Sequence, residues 1–308
     1  MVQETKKYFF SLLVITSLVI FFPTAGKAPG ADEAVLGAQV VSRSFVLPVA
    51  ADRADLGPEP KTAVPELRLG AAAALVKDVK SGLVLYDKDS GTRFPIASLT
   101  KLMTALVVER ILPGDAVVII DPSDLKVPEY RVDLIAGENI YASDLIKAML
   151  VASANDAAYA LARAASGSIE LFAKEMNREA ARLGMKNTSF TNPAGLDDPR
   201  HFSSAQDLSI LVDEYMKHSD LLAISRTKQT VVTSLDDKFI HRLHTTNQLL
   251  LKDDSVIGLK TGYTTEARGN LIALVAEPLF YTILLGSDDR EGETENLITW
   301  TKKNFIWK

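Results

Sequence analysis

The sequence predicts a mixed α/β domain in which one sheet is completed by both ends of the domain, helices pack on it, and a helical lobe is inserted between. Strand-like runs lie near residues 72–88 and return over about residues 256–287, while the stretch between holds successive apolar runs at helical spacing, most with a capping residue in front. A chain of 308 residues with 47% hydrophobic, 24% charged and 7% aromatic residues has globular composition, which excludes a wholly disordered protein. Lys and Arg number 34 against 39 Asp and Glu, a net charge of -5, so no overall basic field draws the chain onto nucleic acid. Cysteine is absent, which excludes disulfides, thiolate metal sites and a cysteine nucleophile; any catalyst has to use oxygen or nitrogen nucleophiles.

Lys6 and Lys7 precede Tyr8 to Gly26, an uncharged stretch centred on FFSLLVITSLVIFF. Its length falls between a signal-peptide core and a spanning helix, and no clean small-residue cleavage site follows, so residues 1–30 are expected to be a signal peptide or an N-terminal membrane anchor. The leading lysines place the rest of the chain on the outer side of the membrane. Residues 31–68, rich in Ala, Pro, Gly and isolated charges, read as a linker with room for one short strand over Val40 to Val49. Residues 69–308 are expected to form one mixed α/β domain.

Within that domain, AAALVKD and GLVLYDK flank the turn signal Lys80-Ser81-Gly82 and predict a β-hairpin. After Pro95, the residues Leu99, Leu102, Met103, Leu106 and Val107 recur at helical spacing until Pro113-Gly114. Further helices are signalled by Ser143, Asp156, Ser168 and Ser204, each standing as an N-cap before an apolar-periodic run. QTVVT, VIGLKTG, GNLIALVAE and LFYTILLGS read as strands, and a last amphipathic stretch runs from Glu293 to Phe305.

Three short motifs carry the chemistry. In Ser98-Leu99-Thr100-Lys101 the first and last residues share a helix face, so a lysine whose pKa is depressed by burial would serve as the serine's base. Taken alone S-x-x-K is weak: a serine at a helix start is more often a cap, and the pattern recurs at Ser123 to Lys126 and Ser225 to Lys228. Ser123 lies between prolines in a turn-like stretch, and no long apolar helix follows Ser225, so context favours Ser98. Ser153-Ala154-Asn155 sits between two helical segments, where it reads either as a helix break or as a hydroxyl that relays a proton beside an amide that holds a carbonyl. Lys260-Thr261-Gly262 ends a strand, offering a cation and a hydroxyl to a carboxylate, with a glycine where another backbone approaches closely.

In this order the three motifs resemble the active-site set of penicillin-binding proteins and serine β-lactamases. The flanks PIASLTKLMTALV, AMLVASANDAAYALA, NTSFTNPAGLDDPRHFSSAQDLSIL and KTGYT are similar to the D-Ala-D-Ala carboxypeptidase family of low-molecular-mass penicillin-binding proteins, over roughly residues 70–305. The resemblance implies an α/β sandwich with a helical lobe, and a serine peptidase acting on peptidoglycan stem peptides and acylated by β-lactams, in the bacterial envelope outside the cytoplasm. It implies Ser98 as nucleophile, Lys101 as general base, Ser153 as proton relay and Asn155 as a holder of the peptide. It further implies that Lys260 and Thr261 bind the terminal carboxylate, and that the amides of Ser98 and Tyr263 hold the oxyanion. No metal, cofactor or histidine is required.

The chain stops soon after the matching region, without the β-rich C-terminal domain and amphipathic helix of many members, a shorter architecture that also resembles the D,D-endopeptidase branch. Arg268 interrupts a stretch where the family usually reads Ala-Gly. No E-x-x-L-N tract follows Ser153, which argues against one class of β-lactamase; a non-turnover β-lactam sensor or wall-binding module is a further alternative. Arg290, in SDDREGE, is expected to be a solvated loop charge, with a fork to the carboxylate as its other reading. His241 and His244 in HRLH are weak metal candidates in a strand-like stretch, and His201 reads as a loop-ordering residue.

Overall fold

The computed structural model describes residues 57–61 and 63–307, so the expected leader and the strand expected over Val40 to Val49 lie outside the described residues. In chain order come strands β1 (Glu59–Pro60), β2 (Ala73–Asp78) and β3 (Val84–Lys88), then a 3-10 turn (Ala97–Leu99) that runs into helix α1 (Thr100–Ile111). Strands β4 (Val117–Ile119) and β5 (Asn139–Tyr141) precede helices α2 (Ala142–Val151), α3 (Asn155–Ser166), α4 (Ile169–Leu183), α5 (Ala205–Tyr215) and α6 (Ser219–Ser225). The chain continues through β6 (Gln229–Thr233), β7 (Ile240–His244), α7 (Gln248–Lys252), β8 (Val256–Thr264), β9 (Arg268–Val275), β10 (Phe280–Ser287), α8 (Arg290–Asn304) and β11 (Phe305–Ile306).

The main sheet has the order β3-β2-β10-β9-β8 and is antiparallel at every pairing. Its first two strands come from the start of the domain and its last three from the end, as expected. Alternation along the central strands explains the layering. Ala73 and Leu75 of β2, with Tyr281, Ile283 and Leu285 of β10, share a core with Leu99 and Leu102 at the start of the helical lobe. Ala74, Val76, Phe280 and Leu284 point the other way, onto Leu297 and Ile298 of α8. Both faces of β10 are therefore covered, which is why its run is apolar almost throughout. The β2–β3 turn is closed by Asp78, whose carboxylate accepts from Ser81 N at 2.7 Å and Ser81 Oγ at 2.6 Å, with Gly82 at φ 70°.

Two of the four expected caps hold. Ser168 Oγ accepts from Leu171 N at 3.2 Å and Ser204 Oγ from Asp207 N at 3.1 Å. Ser143 and Asp156 instead lie inside α2 and α3. At α2 the orphan amides of Ala142 and Ser143 go to the carbonyls of Ala116 and Gly114, both at 2.9 Å, so a neighbouring turn replaces the side-chain cap. Part of the stretch expected as linker runs along the domain: β1 pairs with β11, Trp300 Nε1 donates to Pro65 O at 2.8 Å, and the Tyr86 hydroxyl donates to Leu67 O at 3.1 Å. Among the described residues no helix is long and apolar enough to cross a membrane.

Because Ser204 is fully buried and caps the helix that packs on β2 and β10, Ser204→Ala is expected to lower the unfolding free energy by about 1 kcal/mol, read from a urea titration.

Candidate active site

Ser98 and Lys101 straddle the junction between the 3-10 turn and α1, one turn apart and on one face. Leu99 occupies the N-cap of α1, and Ser98 makes no capping bond, which leaves its hydroxyl to the lysine. Lys101 is fully buried, and its Nζ lies 2.8 Å from Ser98 Oγ, 2.8 Å from Asn155 Oδ1 and 2.9 Å from Ala194 O. The amide of Asn155 cannot be turned the other way, because its Nδ2 donates to Pro128 O at 2.9 Å and Glu129 O at 3.0 Å. Burial, reinforced by the nearby Lys260 and opposed by Asp156, pushes Lys101 well below the ordinary lysine range. In the neutral amine two N–H groups serve Asn155 Oδ1 and Ala194 O, which can only accept, and the lone pair is left for the Ser98 hydroxyl.

The second motif pair meets opposite. Lys260, 1% exposed on edge strand β8, donates to Ser153 Oγ at 2.9 Å and to Thr261 O at 3.0 Å. Burial first, and Arg290 second, lower it to about 7. Ser153 stands between α2 and α3 at φ 59°, and Ala97, just before Ser98, at φ 46°; each is a non-glycine residue held in the left-handed region by what packs around it. Gly262 joins the two halves. A Cβ there would come within 3.0 Å of both Ile96 O and Ser98 N, so only glycine lets β8 lie this close to the amide of Ser98. Thr261 Oγ1 lies 2.6 Å from Thr246 Oγ1, and Tyr263 is 51% exposed at the rim of a cavity of about 330 Å³ that Tyr130, Arg268 and Arg290 also line. Ser98, Lys101, Ser153, Asn155, Lys260, Thr261, Gly262 and Tyr263, expected from motifs far apart in the chain, are thus gathered along one cleft.

The competing S-x-x-K serines are engaged elsewhere: Ser123 Oγ donates to Asp121 Oδ1 at 2.6 Å, and Ser225 Oγ lies 2.7 Å from the hydroxyl of Tyr215. Several site groups escape motif reading. Asn192 Oδ1 accepts from the amides of Ala194, Gly195 and Leu196 at 3.1, 2.8 and 3.0 Å, which aims Ala194 O at Lys101. Gly195, at φ 85°, packs where a Cβ would overlap Ala97 O. The Asn-Pro-Ala-Gly run signals this turn, though not its target. His201 orders the same loop: Thr191 N donates to Nδ1 at 3.1 Å, so Nε2 carries the proton and donates to Thr100 Oγ1 at 2.7 Å. Burial holds that imidazole down at about 4, hence neutral.

Arg290 corrects an expectation. It begins α8 rather than standing as a solvated loop charge, and its Nη1 donates to Gly262 O at 3.1 Å, because Gly269 leaves space for its stem. The insertion at Arg268 is absorbed in the β8–β9 turn, with Thr264 opposite Arg268 and Lys260 opposite Ile272. His241 and His244 alternate to opposite faces of β7, one buried and one exposed, so they cannot share a metal.

Gly262→Val is expected to lower the unfolding free energy by about 1–3 kcal/mol by forcing β8 away from Ile96 and Ser98, checked in urea with the wild type alongside.

The model of the D-alanyl-D-alanine carboxypeptidase family matches residues 60–280. Relatives include D-alanyl-D-alanine carboxypeptidase DacF of Bacillus subtilis, 36% identical over 215 residues, covering 68% of this chain and 54% of the relative. A D-alanyl-D-alanine endopeptidase of Escherichia coli is 32% identical over 255 residues, covering 80% of this chain and 81% of the relative. The chain therefore spans about half the length of DacF and most of the length of the endopeptidase. Among solved structures, a D-alanyl-D-alanine carboxypeptidase from Mycobacterium tuberculosis matches with a TM-score of 0.74 and 27% identity, over 81% of this chain and 99% of that one. A Streptomyces DD-transpeptidase variant matches with a TM-score of 0.72 and 26% identity, over 77% of this chain and 100% of that one. Together with the gathered motifs, these matches place the chain in the D-alanyl-D-alanine carboxypeptidase family.

Proposed function

We propose that this protein is a serine D-Ala-D-Ala carboxypeptidase that removes the terminal D-alanine from peptidoglycan stem peptides outside the cytoplasm, and that penicillins acylate the same serine. The observation that carries the reading is the buried Lys101 amine 2.8 Å from Ser98 Oγ, held in place by two oxygens that can only accept. Ser98 Oγ attacks the carbonyl between the two D-alanines as its proton passes to Lys101, and the oxyanion rests on the amides of Ser98 and Tyr263. Asn155, with both amide hydrogens on the Pro128 and Glu129 carbonyls, holds the Lys101 amine through Oδ1. Ser153, hydrogen-bonded to Lys260, passes its proton to the leaving amine and is reprotonated from the Lys101 ammonium, and D-alanine departs with its carboxylate on Lys260, Thr261 and Arg290. Water then attacks the ester, its proton passing to Lys101 and from there to Ser98 Oγ, and the shortened peptide leaves.

A second reading, cleavage of cross-links between stem peptides, is favoured by the 81% coverage of the Escherichia coli endopeptidase. The chemistry is the same, with a longer leaving amine, and the cavity beside Tyr130 and Arg290 offers room for it.

Three outcomes are expected. Mass spectrometry shows loss of one D-alanine from a pentapeptide ending in D-Ala-D-Ala and none with Ser98→Ala; cleavage of a cross-linked dimer alone would move the protein to the endopeptidase reading, and stable penicillin acylation with neither substrate cut would mark a sensor. Acylation by a penicillin is followed by slow release, and rapid turnover of a chromogenic cephalosporin would contradict this. Because Lys260 is cationic below about 7 and loses its charge above it, KM for the pentapeptide rises as pH increases through that value, read from initial rates between pH 6 and 9.

A further inference from the structure

Asn155 is held in place by a loop, and the loop is held by groups outside the three motifs. Three consecutive carbonyls, those of Pro128, Glu129 and Tyr130, accept from Asn155, the last from its backbone N at 2.7 Å. The same loop carries Glu129, Tyr130 and Asp133 at φ 44°, 43° and 56°, conformations that L-residues leave unless the surroundings hold them. Val132, between them, is gripped from both sides. Its N–H donates to Asp156 Oδ2 at 3.2 Å, and its carbonyl accepts from His241 Nδ1 at 2.9 Å. His241 Nε2 lies 2.8 Å from Glu138 Oε1, and Glu138 Oε2 accepts from Ile135 N at 3.0 Å, so the carboxylate ties the imidazole to the far end of the loop. His241 and Glu138 are both buried, and these hydrogen bonds tie them to the loop and to each other.

We propose that His241 is a positioning residue for the chemistry of Ser98: by holding Val132 O it fixes the loop whose carbonyls orient Asn155, and Asn155 Oδ1 in turn orients the Lys101 amine. This rests on the reading of Ser98 and Lys101 as nucleophile and base. The connection runs through hydrogen bonds from Glu138 to His241 and Val132, along the short backbone stretch from Val132 to the loop carbonyls, and again through hydrogen bonds to Asn155, Lys101 and Ser98. Because Val132 O can only accept, Nδ1 must carry a proton, and any side chain that puts an N–H at that point can replace the imidazole. Asparagine does so, since its amide nitrogen occupies the place of Nδ1 but does not reach Glu138. Leucine fills comparable space and offers no donor.

The test compares His241→Asn with His241→Leu, both in a Glu138→Gln background so that no buried charge is stranded, with the acylation rate of Ser98 by benzylpenicillin as readout. Both variants lose the contact to residue 138, so a difference between them reports the bond to Val132. His241→Asn is expected to stay within about threefold of the Glu138→Gln protein and His241→Leu to fall about tenfold or more, with Asn155 side-chain amide resonances displaced only in the leucine variant. Equal rates in the two variants, whether unchanged or equally lowered, would overturn the proposal. Absence of acylation in the wild type would fail the peptidase reading instead; the positioning role would then be judged by the Asn155 resonances alone, and equal shifts in both variants would overturn it.

Discussion

Lys101 Nζ stands out of water among three oxygens, and its protonation state organises the rest of the cleft. An ammonium there would find an acceptor for each of its three N–H groups, but desolvation of a full charge costs of the order of several kcal/mol, and a second buried lysine lies nearby. The neutral amine avoids that cost and keeps two N–H donors for Asn155 and Ala194. Its lone pair then faces the one neighbour that owns a transferable proton, Ser98. Once it has taken that proton, the three donors match the three oxygens, so the geometry suits both ends of the proton transfer.

This arrangement constrains the surrounding fold. Helix α1 fixes the spacing between Ser98 and Lys101, and the apolar core that the lobe shares with β2 and β10 keeps both dry. The Asn192 turn aims one carbonyl, and Gly195 lets that turn lie against Ala97. The Pro128–Glu129 carbonyls dictate which way Asn155 faces. Across the cleft burial and Arg290 lower Lys260 to about 7, and its bond to Ser153 connects the cation that would meet a carboxylate to the hydroxyl that would pass a proton. Left-handed backbone at Ala97 and Ser153 puts conformational cost next to both serines, where the packed neighbours sustain it.

Much of this was legible in the sequence, for reasons that can be located. The strands showed because β10, covered on both faces, has to be apolar at nearly every position, and α1 showed because its large apolar residues repeat at helical spacing, although the helix is buried all round from Thr100 to Val108. Ser98, Lys101 and Asn155 were readable because their chemistry resides in side chains at short fixed offsets, and Gly262 because close backbone approach demands the smallest residue. Ala194 was not, since a backbone carbonyl looks the same in every residue. The caps at Ser143 and Asp156 misled because a turn supplied carbonyls to α2 and because the Asp156 carboxylate was taken by Val132 and its own neighbours. Arg290 and His241 were singled out in the sequence but their contacts were not legible, for one shared reason: the partners, Gly262 O for one and Val132 O with Glu138 for the other, are remote in sequence, and no local pattern encodes them.

The central claim is that Lys101 is a neutral amine at working pH. It is tested most directly by NMR titration of lysine labelled with ¹³C at Cε, with Lys101→Met assigning the resonance. The Lys101 signal is expected to titrate well below the ordinary lysine range and to be perturbed when Ser98 is acylated. A Lys101 signal that titrates in the ordinary lysine range would contradict it.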